Sequence, residues 1–279
     1  MTLEEKIQES LSLIKRGENL ALSMNPDGYF VAFSGGKDSQ VLLKLVQMAN
    51  VKYKAYYSVT TNDPPKNVRF IREIYPEVFF LHPKENFYKL IEKKGMPTMN
   101  VRYCCDILKE QNGIGQVVLT GVRRDESFKR SKYNDIRVIS RRKEHLDRTK
   151  QYSIDIIEAN EHRCIKGKDK IMVYPLLKWS ENDVWQFLKI NNIPINPCYE
   201  NNNRVGCMIC PFSSKREIEM YENKYPKMKA TIIKSLQKFI DKKNSGNFVD
   251  AEDCYNWWKS NESIAVYKAK KNQLKINFE

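Results

Sequence analysis

No run of about 18 apolar residues occurs in the chain, so no helix is expected to span a membrane. The opening residues, Met1-Thr2-Leu3-Glu4-Glu5-Lys6, are charged and form no apolar signal region, which sets the expectation of a cytoplasmic protein. Histidine is scarce. His82, His145 and His162 stand apart without ligand spacing, and all three are read as structural or exposed. No internal repeat and no low-complexity segment is present. No stretch fits G-x-x-x-x-G-K-[ST], which excludes a Walker A loop. Acidic residues are in deficit, with 34 Asp and Glu against 48 Lys and Arg, a formal net charge of +14. That balance suits phosphate-rich ligands, from nucleotides to nucleic acid, and also serves plain solubility. The 7 cysteines are an odd number without an export signal, and so are read as thiols or metal ligands rather than a disulfide framework.

With 279 residues, 41% of them hydrophobic, the chain can build one large α/β core with a smaller helical appendix. Its organising stretch is Phe33-Ser34-Gly35-Gly36-Lys37-Asp38-Ser39. The apolar run Tyr29-Phe30-Val31-Ala32 precedes it with strand character, and Val41 to Val46 follows as a buried helix. Strand, glycine turn and helix start aim backbone N–H groups and the positive helix end at an anion. Gly35 and Gly36 allow close approach, Ser34 and Ser39 add hydroxyls, Lys37 adds a point charge, and Asp38 caps the helix or orients Lys37.

The rest of the chain alternates in the same way. A lead-in helix is expected over residues 3–22, strands over Tyr29–Ser34, Tyr53–Val59, Val78–Leu81 and Gln116–Thr120, and helices over Val68–Ile74 and Phe87–Lys93. This pattern implies a doubly wound, mostly parallel sheet, with ligands at the carboxyl ends of its strands. The glycine loop, Thr60-Thr61 and Gly121-Val122-Arg123-Arg124 all follow strands and are expected on one rim. Residues 1–212 are assigned to this domain and 213–279 to a C-terminal helical cap. The segment 121–170 carries a local excess of Lys and Arg, which points to a weak, salt-sensitive nucleic-acid affinity. Trp179, Trp185, Trp257 and Trp258 are read as core. Cys104-Cys105 and Cys207-x-x-Cys210 are two thiol pairs from separate segments, able to hold a tetrahedral zinc or a four-iron cluster. Cys164, Cys198 and Cys254 fall outside that pattern and are read as buried free thiols.

The Ser34–Ser39 loop resembles that of the PP-loop adenine-nucleotide enzymes. Further segments resemble the phosphoadenosine phosphosulfate (PAPS) reductase family: Tyr174-Pro175-Leu176-Leu177-Lys178-Trp179, Asp183-Val184-Trp185, Asn196-Pro197-Cys198-Tyr199 and Gly206-Cys207-Met208-Ile209-Cys210-Pro211. Thr60 to Pro65, Arg102-Tyr103-Cys104-Cys105 with Leu108-Lys109, and Thr120 to Ser127 are similar to its iron–sulfur-containing branch. The resemblance implies a PP-loop fold. It implies a nucleotide site with Ser34, Gly35, Gly36, Lys37, Asp38 and Ser39 on the phosphates and Thr60 and Thr61 near the adenine. Gly121, Arg123, Arg124 and Ser127 would complete the site, with Arg123 on phosphate or sulfate. Lys37, Asp38 and Arg123 would carry the catalysis. It also implies a [4Fe-4S] cluster on Cys104, Cys105, Cys207 and Cys210, beside the nucleotide rim, with zinc as the alternative.

One departure is visible. Assimilatory sulfonucleotide reductases carry a C-terminal E-C-G-x-H segment, and here no cysteine follows Cys254, so the usual nucleophile is expected to be missing or elsewhere. Three functions remain open. One is sulfonucleotide reductase-like cleavage of PAPS or adenylyl sulfate (APS), with a thiol reductant protein as partner. Another is an ATP pyrophosphatase, with magnesium accompanying ATP, that adenylates a nucleic-acid substrate for sulfur insertion from a sulfur donor. The last is a non-catalytic nucleic-acid-binding module.

Overall fold

The computed structural model describes residues 1–139, 170–200, 204–243 and 246–276. Most of the basic segment 121–170 lies outside the described residues, and so do His145, His162 and Cys164. The chain sorts into two compact units: residues 1–58, 65–81 and 111–205 form the first, and 59–64, 82–110 and 206–279 the second. The C-terminal helices thus share a unit with 82–110 rather than standing alone.

In chain order, the first unit begins with helices α1 (Leu3–Arg16) and α2 (Glu18–Met24). The expected lead-in helix is broken at Gly17, a residue poorly suited to continue a helix. Strand β1 (Tyr29–Ala32), helix α3 (Lys37–Ala49), strand β2 (Tyr53–Ser58), helix α4 (Pro65–Ile74) and strand β3 (Phe79–Leu81) follow. Pro65 takes the first position of α4, where its missing N–H costs nothing. Helices α5 (Phe87–Lys94) and α6 (Tyr103–Cys105), the latter running into a π-helical turn at Asp106–Glu110, belong to the second unit. The chain then returns with β4 (Val117–Leu119), α7 (Phe128–Ser131), β5 (Ile136–Ile139), β6 (Lys170–Val173) and α8 (Glu181–Ile190).

The six strands form one sheet in the order β3-β2-β1-β4-β6-β5. Every pair is parallel except β5 with β6, an antiparallel edge. Val31, Val117, Leu119 and Ile171 are fully buried in it, and Val41, Leu42 and Leu45 of α3 are fully buried as well. The chain leaves β1 toward β2 on one side, while β4 lies on the other. This is the switch point at which a parallel sheet opens a crevice beyond its strand ends.

The second unit adds α9 (Lys215–Lys224), α10 (Pro226–Lys243), α11 (Ala251–Ser260) and α12 (Ile264–Ile276). Its core joins Phe87, Leu90 and Ile91 of α5 to Ile232 and Leu236 of α10 and to Tyr255 and Trp258 of α11. That shared apolar face is why 82–110 folds with the C-terminal helices. The indole of Trp258 donates to the Pro97 carbonyl, so this tryptophan is core as expected. No helix among the described residues is long and apolar enough to cross a membrane.

Candidate functional site

The loop between β1 and α3 is held in shape by its own hydroxyls and by two buried asparagines. Gly35 has φ +78°, and a Cβ there would lie 2.4 Å from Asn67 Oδ1, so only glycine fits. Asn67 donates to the Ser34 carbonyl at 3.1 Å, and Asn196, fully buried, donates to the Gly35 carbonyl at 2.8 Å. The Ser39 hydroxyl donates to the Gly36 carbonyl at 2.8 Å and accepts the Ser34 N–H, while the Ser34 hydroxyl accepts the Gly36 N–H. The Lys37 N–H donates to the Tyr199 hydroxyl at 2.8 Å.

Two buried cations serve this loop, Lys37 at 6% exposure and Arg123 at 4%. Arg123 follows β4 across the switch point. Gly121 makes its approach possible, because a Cβ there would come 2.8 Å from the Asp38 carbonyl. Asp38 holds both cations: Arg123 Nε lies 2.6 Å from its Oδ1, and Lys37 Nζ 3.7 Å from its Oδ2. Arg123 also reaches Asp125 at 2.7 Å, and Lys37 reaches Glu181, at the start of α8, at 3.3 Å. Burial opposes the charge on Arg123, but Asp38 and Asp125 outweigh it and raise its pKa. The Lys37 charge lowers the Glu181 carboxyl. The loop therefore already holds internal anions on the cations that would meet a ligand.

Other expected residues are placed differently. The Arg124 guanidinium donates to the Tyr133 carbonyl, and the Ser127 hydroxyl caps α7 by accepting the Arg130 N–H. Neither is brought to the glycine loop. Thr60 and Thr61 fall in the second unit, where Thr60 donates to Asp63 at 2.7 Å and lies 3.6 Å from Cys207 Sγ. The Thr61 hydroxyl accepts the Phe87 N–H at 2.8 Å. Trp179 is core, 2% exposed. Trp185 is not: it is half-buried, with Lys37 Nζ 5.8 Å from its ring centroid. A tryptophan on the inner face of an amphipathic helix is normally core, and nothing in its local pattern marks the cation above it.

In the second unit, Cys104, Cys105, Cys207 and Cys210 line one cavity, with Phe87, Leu108 and Ile209 as apolar wall. The Cys104 thiol donates to the Cys105 sulfur, which raises Cys104 and lowers Cys105. Burial raises Cys207. Lys109 Nζ lies 3.5 Å from Cys207 Sγ, and that sulfur raises the Lys109 pKa. Among the described residues, no three His, Cys, Asp or Glu side chains are grouped to hold a single metal ion. Cys198 and Cys254 are buried at 5% and 3% exposure, as expected of core thiols.

A parallel α/β sheet with a glycine loop and a buried arginine at its switch point sets the class of protein. The model of the phosphoadenosine phosphosulfate reductase domain matches residues 28–213, and the chain belongs to that family. An uncharacterized protein of Methanocaldococcus jannaschii is 27% identical over 81% of this chain and 45% of its own length. Sulfate adenylyltransferase subunit 2 of Phocaeicola vulgatus is 28% identical over 71% of this chain and 66% of its own. The chain thus spans between about half and two thirds of these curated relatives. Among solved structures, a U34-tRNA thiolase of Methanococcus maripaludis with its [4Fe-4S] cluster is similar over 87% of this chain and 81% of the thiolase, at 14% identity and a TM-score of 0.44.

Proposed function

We propose that this protein binds an adenine nucleotide with its phosphate or sulfate groups on the Ser34–Ser39 loop and acts on it as a sulfonucleotide reductase-like enzyme. The observation that supports this reading is the juxtaposition of that loop with buried Arg123 at the switch point, both within the residues that match the PAPS reductase domain. Lys37 and Arg123 are the groups to stabilise charge on a leaving phosphate or sulfate. Asp38, which touches both, keeps them in place. In this reading a thiol reductant protein supplies two electrons, and PAPS yields sulfite and the adenosine bisphosphate.

A second reading is favoured by the similarity to sulfate adenylyltransferase subunit 2. There ATP is the ligand, a substrate oxygen bonds to its α-phosphorus, and pyrophosphate leaves from the same loop. Anaerobic incubation of the protein with labelled PAPS plus a thiol donor, and separately with labelled ATP and magnesium, decides between them. Sulfite supports the first reading and pyrophosphate the second. Neither product, together with no nucleotide bound in titration, overturns both.

We also take Cys104, Cys105, Cys207 and Cys210 as the holders of a [4Fe-4S] cluster. Four cysteines lining one cavity supply the four-thiolate set such a cluster takes, and the same four thiolates would suit a zinc ion as the alternative. When bound, the cluster would tie the Cys104-Cys105 and Cys207–Cys210 segments together and add a charged inorganic body among them. Lys109, beside Cys207, would balance part of that negative charge.

A further inference from the structure

Tyr199 flanks the glycine loop, and its hydroxyl has one use and capacity for another. The hydroxyl oxygen accepts the Lys37 N–H at 2.8 Å. No acceptor for its own proton is found among the described residues. A phenol can accept and donate at once, so the group is half satisfied.

The hydroxyl is also fixed in position. Tyr199 lies in a short turn, Pro197–Glu200, whose foot is the fully buried Asn196. The Asn196 side chain donates to the Gly35 carbonyl at 2.8 Å and to Asn67 at 2.7 Å, and accepts the Cys198 N–H at 2.9 Å. The Tyr199 N–H returns to the Asn196 carbonyl at 3.0 Å. The Tyr199 ring packs on Trp185 at 5.3 Å, with Lys37 Nζ 5.6 Å from its centroid. A Cβ at Gly36 would lie 3.3 Å from the hydroxyl oxygen, so the phenol sits against the bare glycine of the loop.

We propose that Tyr199 is an anion-binding residue of this loop, donating its hydroxyl proton to a phosphate- or sulfate-type oxygen of the bound nucleotide while it keeps the Lys37 N–H. This rests on the reading of the loop as the nucleotide's anion site. Accepting from the loop while donating to the anion polarises the hydroxyl and strengthens both bonds. Burial pushes the Tyr199 pKa above its ordinary range, so the proton stays in place at neutral and mildly alkaline pH. The ring also braces Lys37, so one side chain would order both a charge and a hydroxyl for the same anion.

The test is titration calorimetry on the full chain, wild type against Tyr199→Phe, with pyrophosphate, ATP, PAPS and adenosine. Tyr199→Phe should weaken the three anionic probes by about tenfold and leave adenosine unchanged. A larger loss for ATP than for PAPS assigns the accepting oxygen to the phosphate chain, and the reverse assigns it to the sulfate end. Equal affinity of the two proteins for every anionic probe overturns the inference and leaves the loop reading standing. A uniform loss that includes adenosine overturns it too, by showing a purely structural role. A wild-type protein that binds no probe overturns the inference and the loop reading together.

Discussion

Glu181→Gln should make this protein bind anions more tightly. The Glu181 carboxylate lies 3.3 Å from Lys37 Nζ, and a ligand phosphate would have to take its place. Lys37 is 8% exposed at its side chain but Glu181 is 60% exposed, so water screens the pair from one side. At a water-like dielectric two unit charges at that separation attract by about 1 kcal/mol, and an exposed carboxylate keeps the value near that end. Removing the competitor should therefore raise pyrophosphate affinity about fivefold. The assay is calorimetric titration with pyrophosphate in chelator at low ionic strength, repeated in a salt series in which the gain should shrink. Asp38 still holds Lys37 at 3.7 Å, so the variant should keep its fold. Unchanged affinity would show that the pair is not the barrier to binding. Weaker affinity would place Glu181 among the groups that favour the ligand, and would refute the reasoning outright.

Three further outcomes are expected. Asn196→Ala removes a fully buried amide that serves Gly35, Asn67 and Cys198, and should cost about 2–3 kcal/mol in urea denaturation; a change within error would show the loop to be shaped by its own residues alone. Cys207→Ala or Cys210→Ala should abolish iron and broad visible absorbance in anaerobically purified protein, whereas Cys254→Ala should keep both; stoichiometric zinc without iron would defeat the cluster reading. At Asp253, burial opposes ionisation, but bonds from Lys271, the Val249 N–H and Tyr267 outweigh it and lower the carboxyl pKa. A carboxyl depressed in the folded state gives stability that is full above its unfolded pKa and lost as pH falls through the folded one. Helix α12 should then stay protected from hydrogen exchange at neutral pH and loosen below about pH 4; equal protection on both sides of that range would count against the Asp253 anchor.

The glycine loop was legible in the sequence because its chemistry is local: strand, two glycines, two serines and a helix start occupy adjacent positions. Arg123 was legible for a related reason, since Val117 to Leu119 marks a buried strand and ligands gather where such strands end. The partners of the loop were not. Tyr199 lies 162 residues from Lys37, and only the sheet order brings them together. Trp185 carried the pattern of a core residue, because amphipathic spacing reports that a face is buried and not what lies against it. The same limit hid the make-up of the second unit: α5 shows an apolar face in sequence, but its pairing with α10 is a tertiary fact. Arg124 and Ser127 were grouped with Arg123 by proximity in the chain, yet a single turn sends one to the Tyr133 carbonyl and the other to a helix cap.

The internal anions bear on which ligand the loop prefers. Each buried cation leans on carboxylates, Lys37 on Glu181 and Asp38, and Arg123 on Asp38 and Asp125. Displacing Glu181 costs about the same whatever arrives, because the cost belongs to the protein. The return depends on the ligand: a phosphate chain brings several negative charges to Lys37 and Arg123, while a sulfate bound through one bridging oxygen brings about one. The constant cost cancels when two ligands are compared, so discrimination by ligand charge comes from the return alone. On that ground the phosphate groups of the nucleotide, rather than its sulfate, are the better match for Lys37. The Glu181→Gln variant should accordingly raise the affinities for pyrophosphate and inorganic sulfate by similar factors and leave the gap between them unchanged, and a gap that narrows would show that the cost of displacing Glu181 depends on the ligand.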